Sequence, residues 1–408
     1  MVNLSEQHAI LNPAHVHDYE YSIQINRWLL KPIGAWPTSS RVTKLERVSK
    51  KVLNFTCHSL MIFTVAPCLL YILLEDATME LRMKVIGPMS HWLMGALNYC
   101  CLLTRTNEIL KCVEHVERDW QTVSKASHRE IMLRNAKVGR LIACVSALCM
   151  HIGVFSYTVI TGFGKMVFYV GNDSYSMYRL PCPMYTKLMD VRFSPVNEIV
   201  FALQLLSGFI VNSVTVGACG LAVFLAMHSC GQLNVVVSKL DDLVNEKVEK
   251  EEQRIVQRKL GFIVEHHLRT LSLVRYIEKV MNLICLVELV GCTFNMCMLE
   301  YYILTEKSKE TVASYGILYA SMAFNIFIFC YIGEIITEQC KKVGEKVYMT
   351  EWYRLHHKTA IGLVMIISRS SSVIKITAGK LVHLSVATFG DVFKTSFAYF
   401  NMLRTVVM

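Results

Sequence analysis

Long apolar runs separated by polar stretches dominate the chain. Each run is close to the roughly 20 residues that an α-helix needs to cross the ~30 Å hydrocarbon layer of a bilayer. The runs cover residues 52–74, 85–103, 138–160, 199–227, 280–304, 315–336 and 381–407. The last run is the weakest, because it contains Asp391, Lys394 and Arg404. The pattern predicts an all-α membrane protein with seven transmembrane helices.

The distribution of positive charge predicts how these helices are oriented. Segments 1–51, 104–137, 228–279 and 337–380 together hold 31 Lys and Arg residues, whereas 75–84, 161–198, 305–314 and 381–408 hold 10. Because cytoplasmic loops carry the excess of Lys and Arg, the N-terminus is expected inside and the C-terminus outside. The sequon at Asn172 then falls in the external loop 161–198, where glycosylation is possible.

The organisation predicted from these data has four parts. They are a cytoplasmic N-terminal segment (1–51), helices one to six (52–336), a cytoplasmic anchor region (337–380) and the seventh helix (381–408). Within the second part, apolar residues of 228–279 recur at three- and four-residue spacing, which indicates helix. We expect this segment to be a solvated extension of spans four and five, and the alternative is a surface that contacts another subunit.

Composition excludes several functional classes. The chain is 53% hydrophobic and only 18% charged, and its net charge of +10 is dispersed between apolar runs, so nucleic acid is not an expected partner. Most of the 15 cysteines lie in apolar runs, and no CxxC pattern, metal site or cofactor motif occurs. No enzyme signature is present. The predicted topology is the reverse of a G-protein-coupled receptor, and we find no inverted halves of the transporter type.

The C-terminal third carries a specific resemblance. Residues 376–380 read Ile-Thr-Ala-Gly-Lys and lead into Leu384-Ser385, Thr388-Phe389 and Ala398-Tyr399-Phe400. This stretch resembles the C-terminal signature of insect odorant receptors, and Tyr331, Gly333 and Trp352-Tyr353 are similar to that family's spacing upstream. Over 330–403 the resemblance is motif-specific, and over the whole chain it is architectural.

The resemblance implies an odorant-gated, non-selective cation channel subunit in olfactory sensory transduction. Family members assemble as tetramers with a shared co-receptor in the plasma membrane of olfactory neuron dendrites, and they bind small volatile or apolar odorants. The segment 228–279 is shorter than its counterpart in the co-receptor, which favours a tuning, odorant-binding subunit. The alternative is a gustatory-type receptor that acts alone.

The resemblance also implies roles for residues near the C-terminus. The seventh helix would line the pore, with Met402 and Val406 as the hydrophobic gate and Lys394 and Tyr399 as shared positions of that helix. The alternative for the gate residues is contact with lipid or with another helix. Trp352 and Tyr353 would belong to the cytoplasmic anchor where subunits meet.

Depth in the predicted spans indicates a binding pocket between their external halves. A small apolar ligand needs aromatic and aliphatic walls with few polar anchors. The candidates are His91, Trp92, His151, Val154, Phe155, Thr158, Phe201, Leu205, Met298, Tyr315, Tyr319 and Met322. The alternative for each aromatic residue is helix packing or an interfacial belt. Glu288, in the middle of a span, is expected to face the protein interior and to make a structural hydrogen bond.

Overall fold

The computed structural model describes residues 14–37, 43–75, 78–162, 164–170, 173–185, 187–245, 253–372 and 374–407. Helices dominate this part of the chain. They are α1 (His15–Leu30), α2 (Lys44–Leu74), α3 (Met79–Thr104), α4 (Thr106–Thr122), α5 (Ala126–Tyr157), α6 (Val196–Asn245), α7 (Gln253–Thr305), α8 (Lys309–Met349), α9 (His357–Ser371) and α10 (Val386–Val407). A π-helical turn, Thr158–Gly162, continues α5, and a 3-10 turn, Trp352–Arg354, precedes α9. Strands β1 (Lys165–Val170) and β2 (Asp173–Tyr178) form a hairpin, as do β3 (Thr377–Ala378) and β4 (Val382–His383).

The seven apolar runs lie mainly on α2, α3, α5, α6, α7, α8 and α10. Among the described helices, α2, α5 (to Ile160), α6, α7 and α8 are long and apolar enough to cross a membrane. Helix α3 has 26 residues and begins with a charged turn, and α10 has 22 residues and carries three charges. Helix α10 begins at Val386 rather than Leu381, because the residues before it form the β3–β4 hairpin.

Helix α6 is the centre of the bundle. Within its most apolar window, 94% of residues are buried, and it packs against α1, α2, α3, α5, α7 and α8. A rise of about 1.5 Å per residue makes this 50-residue helix about 75 Å long, more than twice the hydrocarbon thickness. The 53-residue α7 runs beside it, so both helices extend well beyond the membrane. Segment 228–279 is therefore helical on both sides of residues 246–252, which lie outside the described residues.

The hairpin formed by β3 and β4 connects α10 to α7. Gly379 has φ of +60°, a conformation that glycine adopts readily, and a Cβ there would meet the Leu286 side chain. Its N–H donates to the Asn282 carbonyl at 2.7 Å. The Glu278 carboxylate accepts from the Thr377 backbone N–H at 2.8 Å and from the Thr377 hydroxyl at 2.5 Å. The Thr-Ala-Gly signature thus holds the start of α10 against α7.

A polar cluster ties three helices together inside the bundle. The Glu288 carboxyl on α7 is fully buried and accepts from the Asn98 amide on α3 at 2.6 Å and from the Asn325 amide on α8 at 2.7 Å. The Cys292 thiol lies one turn along α7 and is 3.6 Å from the same carboxyl. Because the hydrocarbon layer offers no water, this carboxyl has its partners inside the protein.

Replacing Glu288 by Leu should destabilise the fold. The Asn98 and Asn325 amides would lose their acceptor, at a cost of roughly 1–3 kcal/mol for each group left unpaired. We expect a lower denaturation temperature of the purified chain in detergent, measured by the loss of the monodisperse size-exclusion peak on heating. The matched control replaces Asn98, Glu288 and Asn325 together by Leu, which removes the orphaned amides and should recover much of the loss. A Glu288→Leu protein as stable as wild type would contradict a structural role.

Candidate functional site

A cavity lies where five membrane helices converge. Helices α3, α5, α6, α7 and α8 supply its walls, and Pro181 from the loop after β2 covers one side. Its empty space, including the part that is open to the outside, is about 780 Å³. A mostly apolar space of this kind, lined by several helices, is suited to a small organic molecule.

Eight of the twelve residues predicted for the pocket surround this cavity. They are His91, Trp92, Val154, Thr158, Leu205, Met298, Tyr315 and Met322. They come from five separate helices, so depth in the spans was enough to select them. Their contact with an odorant stays a prediction.

The other four predicted residues lie elsewhere. His151 and Phe155 line a separate groove on the outer side of α5 and α6. Phe201 stacks on Tyr178 of β2, with ring centroids 5.2 Å apart. Tyr319 donates a hydrogen bond to Glu300. Depth alone could not separate these faces, because it says nothing about the rotation of each helix.

His91 is the most distinctive polar group of the cavity. It is buried, and neither ring nitrogen has a hydrogen-bond partner among the described residues. Its neighbour Trp92 is satisfied, since the indole N–H donates to the Ser207 hydroxyl at 3.0 Å. A neutral imidazole has one donor and one acceptor nitrogen. His91 can therefore bind a hydroxyl or a carbonyl group of a ligand.

Sequence reasoning missed Tyr302, which shapes one wall. In a regular helix the Gly87 N–H would bond the Met83 carbonyl, four residues earlier. Here the Gly87 N–H donates to the Tyr302 hydroxyl at 3.0 Å, and that hydroxyl donates to the Met83 carbonyl at 2.7 Å. The tyrosine of α7 thus inserts into the ladder of α3 directly before Pro88. The Gly-Pro pair inside an apolar run was the available signal, because a proline leaves helix backbone groups to be satisfied by neighbours.

The loop over the cavity is fixed by two side-chain amides of α6. The buried Gln204 accepts from the Cys182 N–H at 3.1 Å and donates to the Cys182 carbonyl at 2.7 Å. About two turns earlier on α6, Asn197 makes the same pair of bonds with Tyr178, at 2.7 and 3.1 Å. Each amide pairs with both the N–H and the carbonyl of one residue, as a neighbouring β-strand would. These bonds hold the loop so that Pro181 lies at the cavity wall.

The cavity adjoins the C-terminal helix through a polar contact. Glu300 follows Met298 on α7, and its carboxylate accepts from the Tyr319 hydroxyl of α8 at 3.0 Å and from the Ser396 hydroxyl of α10 at 3.1 Å. The Tyr319 ring also meets the edge of Phe393, with centroids 6.2 Å apart. Helices α7 and α8 therefore each line the cavity and also contact α10.

Helix α10 has one buried and one exposed face. Val392, Ser396 and Phe400 are buried against the bundle. On the other face are Asp391 and Lys394, whose charged atoms are 3.6 Å apart, together with Tyr399 and the 66%-exposed Met402. Charged groups on a membrane helix face water or protein rather than lipid. The Val406 side chain and the whole of Asn172, both named in the sequence predictions, lie outside the described residues.

The two residues predicted to form the anchor and the helix that follows them expose apolar surface. Trp352 and Tyr353 pack edge to face, with centroids 6.2 Å apart, and both are exposed. Helix α9 turns Leu363 and Ile366 inward and leaves Ile361, Val364 and Met365 exposed. An aromatic pair beside an apolar helix face is typical of an interaction surface.

At the far end of α6 and α7 lies a second, polar cavity. Asp119 of α4 is buried there, 2.9 Å from His228 and 2.6 Å from Arg269. Burial favours a higher pKa for Asp119, but the hydrogen bond to His228 and the charges of His228 and Arg269 outweigh it, so its pKa is lowered. Burial, together with the neighbouring Lys239, lowers the pKa of His266 to about 3, so this ring is neutral at pH 7. These charges are compensated locally, and no group of three or more potential metal ligands occurs among the described residues.

Comparison with known proteins adds information on the family. The family model described as 7tm Odorant receptor matches residues 50–397. Odorant receptor 82a of Drosophila melanogaster is 25% identical over 228 residues, 56% of this chain and 58% of that protein. Odorant receptor 10 of Aedes albopictus is 19% identical over 56% of this chain and 60% of its own length. The chain thus spans about half the length of the curated relatives that it matches.

A solved structure shows a similar fold. The insect olfactory receptor OR5 from Machilis hrabei in complex with eugenol superposes with a TM-score of 0.77 at 13% identity. The match covers 96% of this chain and 100% of that one. At this identity the likeness establishes the fold alone.

The hydrogen bonds of Gln204 should stabilise the closed position of the loop that contains Cys182. Replacing Gln204 by Leu leaves the Cys182 N–H and carbonyl unpaired, at a cost of roughly 1–3 kcal/mol. We expect trypsin to cleave the purified protein faster after Lys187 and Arg192, because cleavage follows the population of the open loop. The control is Glu198→Gln, an exposed change on the same helix. Equal cleavage rates in the two variants would show that the hydrogen bonds of Gln204 do not hold the loop.

Proposed function

The chain belongs to the seven-transmembrane odorant receptor family, and from this premise we propose that it is the odorant-binding subunit of an odorant-gated, non-selective cation channel. It acts with the family's co-receptor in the plasma membrane of olfactory neuron dendrites. The observation that carries the proposal is the cavity between α3, α5, α6, α7 and α8, with the unpaired nitrogens of His91 in its wall.

The cavity indicates the chemical class of the ligand. Trp92, Met298 and Met322 offer apolar surface, and thioether side chains adapt to ligands of different shape. The two ring nitrogens of His91 supply the hydrogen-bonding capacity. We therefore expect a small apolar molecule with one hydroxyl or carbonyl group. The solved Machilis receptor is in complex with eugenol, a small aromatic molecule with one hydroxyl group.

Gating requires that the odorant binds the open state more tightly than the closed state. Helices α7 and α8 offer a direct route, because they line the cavity and also hold Ser396 of α10 through Glu300 and Tyr319. A small displacement of α7 by a ligand at Met298 would change the position of α10.

The pore would form where the exposed faces of α10 from several subunits meet. Asp391 and Lys394 would lie toward water in such an assembly, and a ring of Met402 side chains would close the pore by excluding water. Trp352, Tyr353 and the exposed face of α9 would supply the contact between subunits on the cytoplasmic side.

The first experiment is whole-cell current recording from cells that express this chain with and without an insect co-receptor, against a panel of odorants. We expect odorant-evoked cation current only when both chains are present. Current from this chain alone would indicate a homomeric channel of the gustatory type. No current from cells in which labelling detects both chains at the surface would contradict the proposal.

His91→Leu makes the same experiment specific to the cavity. For odorants with a hydroxyl or carbonyl group, loss of one hydrogen bond should raise the half-maximal concentration about two- to tenfold. Hydrocarbon odorants should be unaffected. Equal shifts for both classes would show that His91 does not contact the polar group.

Ser396→Ala tests the route from cavity to pore. We expect a lower maximal current at saturating odorant. Removal of one hydrogen bond between α10 and α7 should lower the equilibrium constant for opening about two- to tenfold. Tyr319→Phe, which removes the hydroxyl from the α8 side of Glu300, should act in the same direction.

The matched control for Ser396→Ala is Thr395→Ala on the same helix. The Thr395 hydroxyl donates to the Asp391 carbonyl within α10, and no hydrogen bond joins it to the described residues of α7. If the two variants give the same maximal current, the Glu300 contact does not transmit gating.

A further inference from the structure

A second apolar hollow lies on the outer surface of the bundle, between α5 and α6. This lateral groove is formed by Ile152, Phe155, Val159, Leu206, Phe209 and Asn212, among others. The empty space over these residues, including the part that is open to the outside, is about 1450 Å³, and Phe155 and Phe209 are 70% and 58% exposed. Both helices are long and apolar enough to cross a membrane, so this face lies at the depth of the lipid chains.

The groove and the cavity share a wall. Val154, Thr158 and Leu205 line both spaces, so single side chains separate them. Helix α5 changes at this point into the π-helical turn that begins at Thr158. Such turns are wider than an α-helical turn and are often found at functional positions. The Thr158 hydroxyl donates to the Val154 carbonyl at 2.7 Å, which leaves apolar atoms of these residues as the barrier.

Asn212 lies at one end of the groove, where it is the last residue of α6 in the lining. It is 1% exposed, and neither its amide nitrogen nor its carbonyl oxygen has a hydrogen-bond partner among the described residues. An unpaired amide at membrane depth is costly. The other polar side chains of this mostly apolar hollow, His151 and Thr158, each bond to a backbone carbonyl of α5, so Asn212 differs from them. A hydroxyl group that reached it could satisfy both atoms.

We propose that the lateral groove is a membrane-side binding site for small apolar alcohols, from which they pass over Val154 and Leu205 into the cavity. Apolar odorants partition into the bilayer, so a route from the lipid supplies the cavity without opening the loop held by Gln204. The role as an access route rests on the proposed function of the cavity, whereas occupancy of the groove can be measured independently of any current.

The test uses a photoreactive diazirine derivative of 1-octanol with the full chain in phosphatidylcholine nanodiscs. Peptides labelled on illumination are identified by mass spectrometry. We expect saturable labelling at Ile152, Phe155, Leu206 or Phe209 that excess 1-octanol competes away. Uniform, non-saturable labelling along the lipid-facing residues, including Leu148, would mean partition into lipid only and would overturn the proposal. Absence of label from the groove, with a phospholipid chain as its occupant, would overturn it equally.

Two variants locate the site. Leu206→Trp fills the groove without touching the cavity, and Leu148→Trp adds the same ring at an exposed position of α5 outside the groove. Labelling of the groove should fall in the first variant and stay at the wild-type level in the second. Asn212→Leu should reduce groove labelling about two- to tenfold, as expected for one lost hydrogen bond. Equal labelling in Leu206→Trp and Leu148→Trp would contradict a site at this position.

The time course of labelling tests the route. After rapid mixing with the probe, label on cavity residues such as Met298 should appear more slowly in Leu206→Trp than in Leu148→Trp. Equal rates would show that ligands reach the cavity by another path, even if the groove binds the probe. Because neither measurement needs a channel current, their failure is distinguishable from failure of the proposed function.

Discussion

The need to satisfy polar groups inside the hydrocarbon layer determines much of this structure. Water cannot pair them there, so each buried donor or acceptor must find a partner within the protein. Glu288 meets this need with Asn98 and Asn325, which ties α3, α7 and α8 together. The Tyr302 hydroxyl meets it for two backbone groups of α3. Helix α7 is thus joined to α3 and α8 at positions where polar groups are shared.

The same constraint gives meaning to the groups that remain unpaired. His91 and Asn212 are both buried, and each has two polar atoms without a partner among the described residues. One lies in the wall of the cavity and the other at one end of the lateral groove. Other buried polar atoms of the described residues also have no partner, but His91 and Asn212 each have two and line a hollow that a ligand with a hydroxyl group can enter.

The sequence predicted the class of fold well because membrane spans depend on local composition. Runs of about 20 apolar residues need no knowledge of packing. The predicted start of the seventh helix, residue 381, was five residues too early. Gly379 and its neighbours form a turn, which the search for apolar runs does not detect. The residues that carry the family resemblance, such as Thr377 and Gly379, hold α10 against α7 through Glu278 and Asn282. These residues identify the family but not the ligand, because their hydrogen-bond partners are other residues of the protein.

The candidate site was predictable only in part, because it depends on how each helix is rotated. Depth placed Trp92 and Met298 correctly at the cavity but could not distinguish Tyr315, which lines it, from Tyr319, one turn away. Contacts between distant residues, such as Tyr302 with Gly87, leave no periodic pattern in the sequence. Gln204 was missed for the same reason, since its partner is the backbone of a loop.

In the proposed channel, helix α7 would serve both binding and gating. Asn295, Met298, Leu299 and Tyr302 recur at three- and four-residue spacing and line the cavity. Glu300 is two residues from Met298, about 200° around the helix, and therefore points away from the cavity toward Ser396 of α10. A rotation of α7 that improves contact with a ligand on one face necessarily moves the carboxylate on the other. In the proposed channel, contact of a ligand with Met298 and the hold of Glu300 on α10 are thus coupled through a single helix.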